Sequence, residues 1–259
     1  MTGLILAAVL AAAAPQAEPI TMSGAVPAAA VVADLAYFYR RTLEKPPRFE
    51  IVGGNTLTGL SDAARGVSDV GLVTRSLATG DPRGLRFTAI ARTGFCLVTN
   101  RANPVPGFTR AQVQDLVAAR VTSWAQVPGA ARTDEIVAAT FVPGGGARTV
   151  FESTFLDAAT PVAYVPRTWV SSAQVRDYVQ TTANAWGYVD LAYSRDLHTV
   201  PYEGVPCTRA TVSDNTYPAR SEIGLVTRGK PKGRIARFIR WIKRSPRARR
   251  VIASRYVPL

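Results

Sequence analysis

Three features of this 259-residue sequence predict an α/β fold with its ligand held at the carboxyl ends of strands. Short β-branched runs, residues 49–52, 70–73 and 223–227 among them, alternate with helix-period segments, the order of mostly parallel sheets flanked by helices. Three Gly/Ser/Thr-rich turns fall between a strand and a helix, at residues 23–26, 53–58 and 144–149. Turns of this kind feed helix N-termini, whose backbone N–H groups are unpaired and point at one spot. The most pronounced is Pro143-Gly144-Gly145-Gly146, which breaks the apolar run ending at Val142 and opens a helix.

Each element has a local reason. Residues 4–14 are an apolar run too short to span a bilayer. The run fits the core of a secretory signal cleaved after Ala14 or Ala17, so residues 1–17 are assigned to a signal peptide. Residues 19–22 predict a strand, followed by the turn Ser23-Gly24-Ala25-Val26-Pro27 and an Ala-rich helix to about Thr42. The strand at 49–52 leads into a turn through Gly59 and a helix with Leu60, Ala63 and Ala64 on its apolar face. The strand at 70–73 ends in Thr74-Arg75-Ser76. Aromatic and β-branched residues over 87–100 predict a long strand that crosses between lobes. Thr109 is placed to cap a helix reaching Ala119, and Ser171 or Ser172 starts another to Thr181. Residues 185–189 and 223–227 predict further strands.

The formal charge is +13, and twelve of the cations lie between Arg228 and Arg255. A basic tail can serve nucleic acid or an anionic membrane surface. Here Ile235, Phe238, Ile239 and Ile242 recur at helical spacing, which predicts an amphipathic helix docked on a core with a solvated basic face. No nucleic-acid recognition pattern accompanies it, so no nucleic-acid partner is expected. Cys96 and Cys207 are the two cysteines; spacing leaves one bridge or two buried thiols equally open.

Catalytic signatures are missing. The lone His198 makes no zinc site with two distant cysteines, and no Gly-x-Ser-x-Gly elbow or paired carboxylates appear. The glycine turn lacks the Lys-Ser/Thr of a nucleotide loop, and no dinucleotide fingerprint is present. Neither an enzyme, nor a metal, nor a cofactor is expected.

The order of segments resembles the phosphate-binding-protein-like branch of periplasmic solute-binding proteins, the receptors of ABC-type phosphate importers. Ser23-Gly24-Ala25-Val26-Pro27 resembles the family's first turn. Asn55-Thr56-Leu57-Thr58-Gly59, Ser68-Asp69-Val70-Gly71 and Thr74-Arg75-Ser76 resemble its second turn, its Asp-φ-Gly strand and its Ser-Arg ending. Asn103-Pro104 with Val121-Thr122-Ser123-Trp124, Gly145-Gly146-Ala147-Arg148-Thr149-Val150-Phe151, Trp186-Gly187-Tyr188 and Tyr217-Pro218-Ala219-Arg220 follow in the family's order. The resemblance covers essentially the whole mature chain. It implies a two-lobed type 2 binding-protein fold with the ligand cleft between lobes: residues 18–88 plus 217–259 form lobe 1, and residues 89–216 form lobe 2. Both cysteines then fall in lobe 2, which favours the Cys96–Cys207 disulfide.

The ligand-binding residues this resemblance implies are Ser23, Gly24, Ala25, Val26, Thr56, Thr74, Arg75, Gly145, Gly146, Ala147, Arg148 and Thr149. Several depart from the family pattern. Ala25, Gly145 and Ala147 replace hydroxyl residues, Thr74 replaces a carboxylate, and Phe141 stands where the family has Arg; a one-residue shift of the glycine loop brings Arg148 and Thr149 to the site. The expected function is an exported, periplasmic or secreted monomer that binds phosphate or a related oxyanion. Its expected partner is an ABC permease or another inner-membrane protein, and the cleaved chain does not span the membrane. The alternatives are a non-transport accessory or sensory module with a degenerate cleft and, third, a phosphatase-like relative.

Overall fold

The computed structural model describes residues 18–163 and 167–259; the signal-peptide assignment at residues 1–17 lies outside the described residues. Strand β1 (Ile20–Ala25) runs directly into helix α1 (Val26–Arg40). The expected turn at residues 23–27 is therefore absent: β1 keeps its register through Ala25, and Pro27 sits in the first turn of α1, where its missing N–H costs nothing. Strand β2 (Phe49–Gly54) precedes α2 (Thr56–Arg65), which begins earlier than expected because the Asn55 side chain accepts from the Thr58 N–H at 2.9 Å. β3 (Val70–Val73) and the 15-residue β4 (Leu85–Thr99) complete the first half.

Thr109 caps α3 (Arg110–Val117) in a reciprocal capping box with Gln112. β5 (Val137–Phe141), α4 (Gly146–Phe155), β6 (Thr168–Trp169), α5 (Ser172–Thr181), β7 (Ala185–Asp190), β8 (His198–Thr199) and α6 (Arg209–Ser213) follow. The chain closes with β9 (Arg220–Arg228), α7 (Gly233–Arg244), α8 (Pro246–Ala253) and β10 (Val257–Pro258). The basic tail is two helices, because Pro246 cannot continue α7 and Ser245 caps the second. Phe238, Ile239 and Ile242 are buried, so the docked-helix expectation describes α7.

The strands follow the order β2-β1-β3-β9-β4-β7-β5-β6, with β8 and β10 also on β4. Parallel pairing holds in the outer sets, β2-β1-β3 and β7-β5-β6. The expected mostly parallel sheet is thus a mixed one: β4 and β9 run through its middle antiparallel to each other and to their other neighbours. β4 pairs with β9 from Leu85 to Gly94, with a bulge between Ala89 and Ala91, and then with β7 from Phe95 to Thr99.

The hydrophobic cores divide along the same strand. Of the two larger ones, one packs Met22, Leu35, Leu72, Ile90, Ile223 and Phe238 and the other packs Phe95, Leu97, Trp124, Phe151, Tyr188 and Tyr217; a smaller third joins Leu60, Ala63, Val73, Leu85 and Val226. Between Ala91 and Phe95, β4 passes from one core to the other. The chain is two-lobed, with a helix-flanked half-sheet in each lobe. Cys96 and Cys207 are bonded in the second core, their Cα atoms 5.4 Å apart, tying α6's approach to β4.

Candidate functional site

Four helices begin at one small cavity. Its walls include Val26 and Pro27 of α1, Thr56 of α2, Gly146 and Ala147 of α4, and Ser172 of α5, each within the first turn of its helix. The cavity measures about 30 Å³, room for about two waters. The reason for this convergence is topological. β1, β2 and β5 are parallel strands whose carboxyl ends each run into a helix, and the crossing of β4 brings the two sets face to face.

The lobes touch here. Thr56 and Thr74 are buried with their hydroxyls 3.2 Å apart, and Thr56 Oγ1 also accepts from the Thr74 N–H at 3.3 Å. Gly146 closes over them from the other lobe: a Cβ on it would sit 2.5 Å from both hydroxyl oxygens, so only glycine permits this approach. Phe141 forms another part of the wall, packed 5.1 Å from the Tyr188 ring. Tyr188 is buried with its hydroxyl 3.1 Å from Thr140 Oγ1, and burial pushes its pKa up to about 12.

Of the residues expected from the sequence, the cavity gathers Ala25, Val26, Thr56, Thr74, Gly145, Gly146 and Ala147. The other five are engaged elsewhere. Ser23 donates to Asp62 at 2.8 Å, inside lobe 1. Gly24, at φ +136°, faces the Leu72 carbonyl, which a Cβ would meet at 2.1 Å; it serves strand packing. Arg75 donates through both terminal nitrogens to Asp81, at 2.7 and 2.9 Å, and holds that carboxyl below its usual range. Arg148 donates to Thr140 at 2.7 Å and Glu152 at 2.5 Å, and Thr149 Oγ1 donates back to the Gly145 carbonyl. The one-residue loop shift that would deliver Arg148 and Thr149 does not occur, because α4 starts at Gly146 and turns both away.

Other wall residues were not singled out from the sequence: Pro27, Gly54, Asn55, Phe95, Ser171 and Ser172 among them. Ser171 was legible as a helix cap, and its Oγ does accept from the Gln174 N–H at 3.3 Å. A fourth strand–helix junction at the same sheet end was the signal for adding α5. His198 lies in β8, its Nε2 2.7 Å from the Val105 carbonyl, a structural contact away from the cavity.

No cationic or anionic side chain lines the cavity among the described residues. No three His, Cys, Asp or Glu side chains cluster to hold a metal among the described residues, and no helix there is long and apolar enough to cross a membrane. What the arrangement offers chemically is a set of hydroxyls, an amide and unpaired backbone donors aimed at one point.

A family model for the PBP superfamily domain matches residues 10–245. Among solved structures, a protein reported as a phosphate ABC transporter substrate-binding protein from Clostridium perfringens, with bound phosphate, superposes with a TM-score of 0.84 at 24% identity. The match covers 93% of this chain and 100% of that one. An ABC-type phosphate transport receptor from Vibrio cholerae gives a TM-score of 0.74 at 23% identity, over 93% and 99% of the two chains. Both likenesses concern the fold. Among curated proteins, phosphate-binding protein PstS 2 of Streptococcus agalactiae is 33% identical over 79 residues, 30% of this chain and 27% of that protein. The match thus spans about a quarter of the curated relative's length. With the family model covering most of its residues and the two-lobed fold in place, the chain belongs to the PBP superfamily-domain family.

Proposed function

We propose that the chain is an exported solute-binding protein that holds a small oxyanion, phosphate or a relative, between its lobes and presents it to an ABC importer. The observation that carries this is the meeting of four helix N-termini at one cavity. Each contributes unpaired N–H groups and about half a positive charge, a ready place for an anion. The small volume suits a ligand of few heavy atoms, while the Phe141 wall suits a less charged or organic one. We assign the site to Ala25, Val26, Thr56, Thr74, Gly145, Gly146 and Ala147, with Asn55, Ser171 and Ser172 added. The lobes divide at residues 91–95 on β4 and 219–223 ahead of and within β9, and hinge closure buries the ligand. In this reading the protein acts as a monomer in the periplasm or outside the cell.

Titration calorimetry of the mature protein with phosphate, sulfate and small phosphoesters tests the proposal. Micromolar binding corresponds to about −8 kcal/mol; flat traces for every anion sink it.

A second reading has one observation in its favour. On α7 and α8, Arg237, Arg240 and Arg244 are exposed and make no salt bridge among the described residues, while Arg247 lies 4.8 Å from the Phe38 ring. This face would contact a partner in an accessory or sensory module. Arg237→Glu, Arg240→Glu and Arg244→Glu together should then abolish capture of that partner and leave anion binding intact. Unchanged capture refutes the second reading.

A further inference from the structure

The turn between α7 and α8 opens a groove of about 480 Å³ on lobe 1. Its floor is apolar: Ile90 in the β4 bulge, Ile242 of α7 and Ile252 of α8, all buried. Leu259, 53% exposed, stands at its edge. Lys243, Arg244 and Arg249 form the rim, exposed and without a salt bridge or side-chain hydrogen bond among the described residues. Ser245 and Pro246 also line the groove, so the first turn of α8 opens into it. Unpaired N–H groups there add a positive helix end to the three cations.

The surface around the groove carries one sign of charge. Residues 223–259 contain no Asp or Glu, and the twelve cations between Arg228 and Arg255 all lie in this run. Of these twelve, only Arg255 has a salt bridge among the described residues, to Asp34 at 3.1 Å. Arg237, Arg240 and Arg244 follow one stripe of α7, opposite the buried Phe238, Ile239 and Ile242. Lys243 and Arg244 also complement the carboxyl end of α7. Arg249, midway along α8, has no such role. Like charges gathered at one groove repel each other, and an external anion relieves that repulsion.

We propose that this groove seats the headgroup and first acyl carbons of an anionic phospholipid, so that α7 and α8 rest on an anionic membrane surface. The phosphate meets Lys243, Arg244, Arg249 and the N–H groups of α8, while the acyl carbons lie on the isoleucine floor. Lys and Arg suit such a boundary, because their stems pack on apolar surface and their heads reach polar groups. Attachment of this kind adds buried apolar area to attraction for anionic lipids. Nucleic acid matches the rim but offers nothing to an apolar floor, and no recognition pattern for it is present. The groove and the interlobe cavity share no wall residue, so the proposal stands apart from the anion reading. It gives the basic face a lipid where the second reading gives it a protein.

Sedimentation of the full mature chain with lipid vesicles tests it. In about 0.05 M salt the chain should pellet with phosphatidylcholine vesicles holding about a third phosphatidylglycerol, and stay free with phosphatidylcholine alone. Raising the salt to about 0.5 M should weaken partition by about tenfold or more, because screening shortens the reach of the charges. Each cation near such a surface contributes about fivefold in partition. Arg244→Glu with Arg249→Glu should therefore lose about thirtyfold or more. Arg83→Glu with Arg195→Glu, exposed cations that do not line the groove, should lose less than about threefold. Equal losses in the two double variants overturn the proposal. No pelleting with anionic vesicles overturns it too and leaves the face to a protein partner. Duplex DNA bound as tightly as the vesicles at equal phosphate, with the same response to Arg244→Glu and Arg249→Glu, also overturns it. Should that double variant fail to fold, the native chain decides. Monomeric dihexanoylphosphatidylglycerol should shift the amide resonances of Ile90 and Arg249, and glycerol phosphate should not; equal shifts with both, or none with either, overturn the proposal.

Discussion

The hydroxyls of Thr56 and Thr74 lie 3.2 Å apart under the Gly146 backbone, so the two lobes meet at the point where the ligand is proposed to bind. Thr56 is in the first turn of α2 and Thr74 follows β3, both in lobe 1, while Gly146 opens α4 in lobe 2. In the proposed reading, closure and ligand contact are one event.

Gly146→Ala tests that closure. Its Cβ would lie 2.5 Å from both hydroxyls, and overpacking of this kind costs about 1–3 kcal/mol. We predict that the penalty falls on the closed, liganded state. Anion affinity should drop by about tenfold or more while the thermal midpoint of the free protein stays nearly constant. An unchanged Kd would show that Gly146 need not approach Thr56.

Thr74→Asp tests selectivity. Thr74 is buried and neutral, where the family resemblance places a carboxylate. A carboxylate there accepts a hydrogen bond from protonated phosphate and repels sulfate, which has no proton to give. The variant should keep phosphate binding and lose sulfate binding. Equal loss of both anions in parallel titrations would contradict the assignment of Thr74 to the ligand.

Replacing Cys96 and Cys207 together by alanine removes a link across 111 residues. Loss of such a native bridge costs about 2–5 kcal/mol, and denaturant melts with and without reductant measure it. We predict that native protein under reductant and the double variant under either condition melt at the same lowered midpoint. Because the bridge lies within the lobe 2 core, the folded variant should retain anion affinity.

Stability should also depend on pH through Asp190. Burial pushes its folded pKa up to about 7, above the 3.8 of an ordinary aspartate, so between those values the folded state holds a proton that the unfolded chain has released. The contribution is fully present below the unfolded value and declines as pH rises from about 4 through about 7, by about 1.4 kcal/mol for each unit. Urea unfolding at pH values across that window should show the decline in native protein and a flatter profile in Asp190→Asn. Parallel slopes would place the titration on another group.

Much of the fold was legible because short-range patterns carry it. β-branched runs, the Thr109 and Ser171 caps and the apolar stripe of Phe238, Ile239 and Ile242 each report on neighbours within a few positions. The lining of the candidate cavity was only half legible. Val26, Thr56, Thr74 and Gly146 belong to the cavity, but Arg75 and Arg148, adjacent to such residues in sequence, turn to Asp81 and to Thr140 and Glu152. A guanidinium's choice of partner depends on which acceptor lies within reach in space, and neighbouring residues in a helix or strand point different ways.

The alternation of strands and helices, the glycine turn that opens α4 and the excess of positive charge are all readable from residue order. Those follow from local sterics and composition, which need no knowledge of distant residues. Long-range packing, by contrast, sets β4 and β9 antiparallel through a mixed sheet and brings Cys96 to Cys207. The same holds for the arrival of α5 as a fourth helix N-terminus and for the bond from the Asp190 N–H to Ser172 Oγ behind it. Each of these joins residues tens to more than a hundred positions apart, and the packing of two cores along one shared strand selects such pairs.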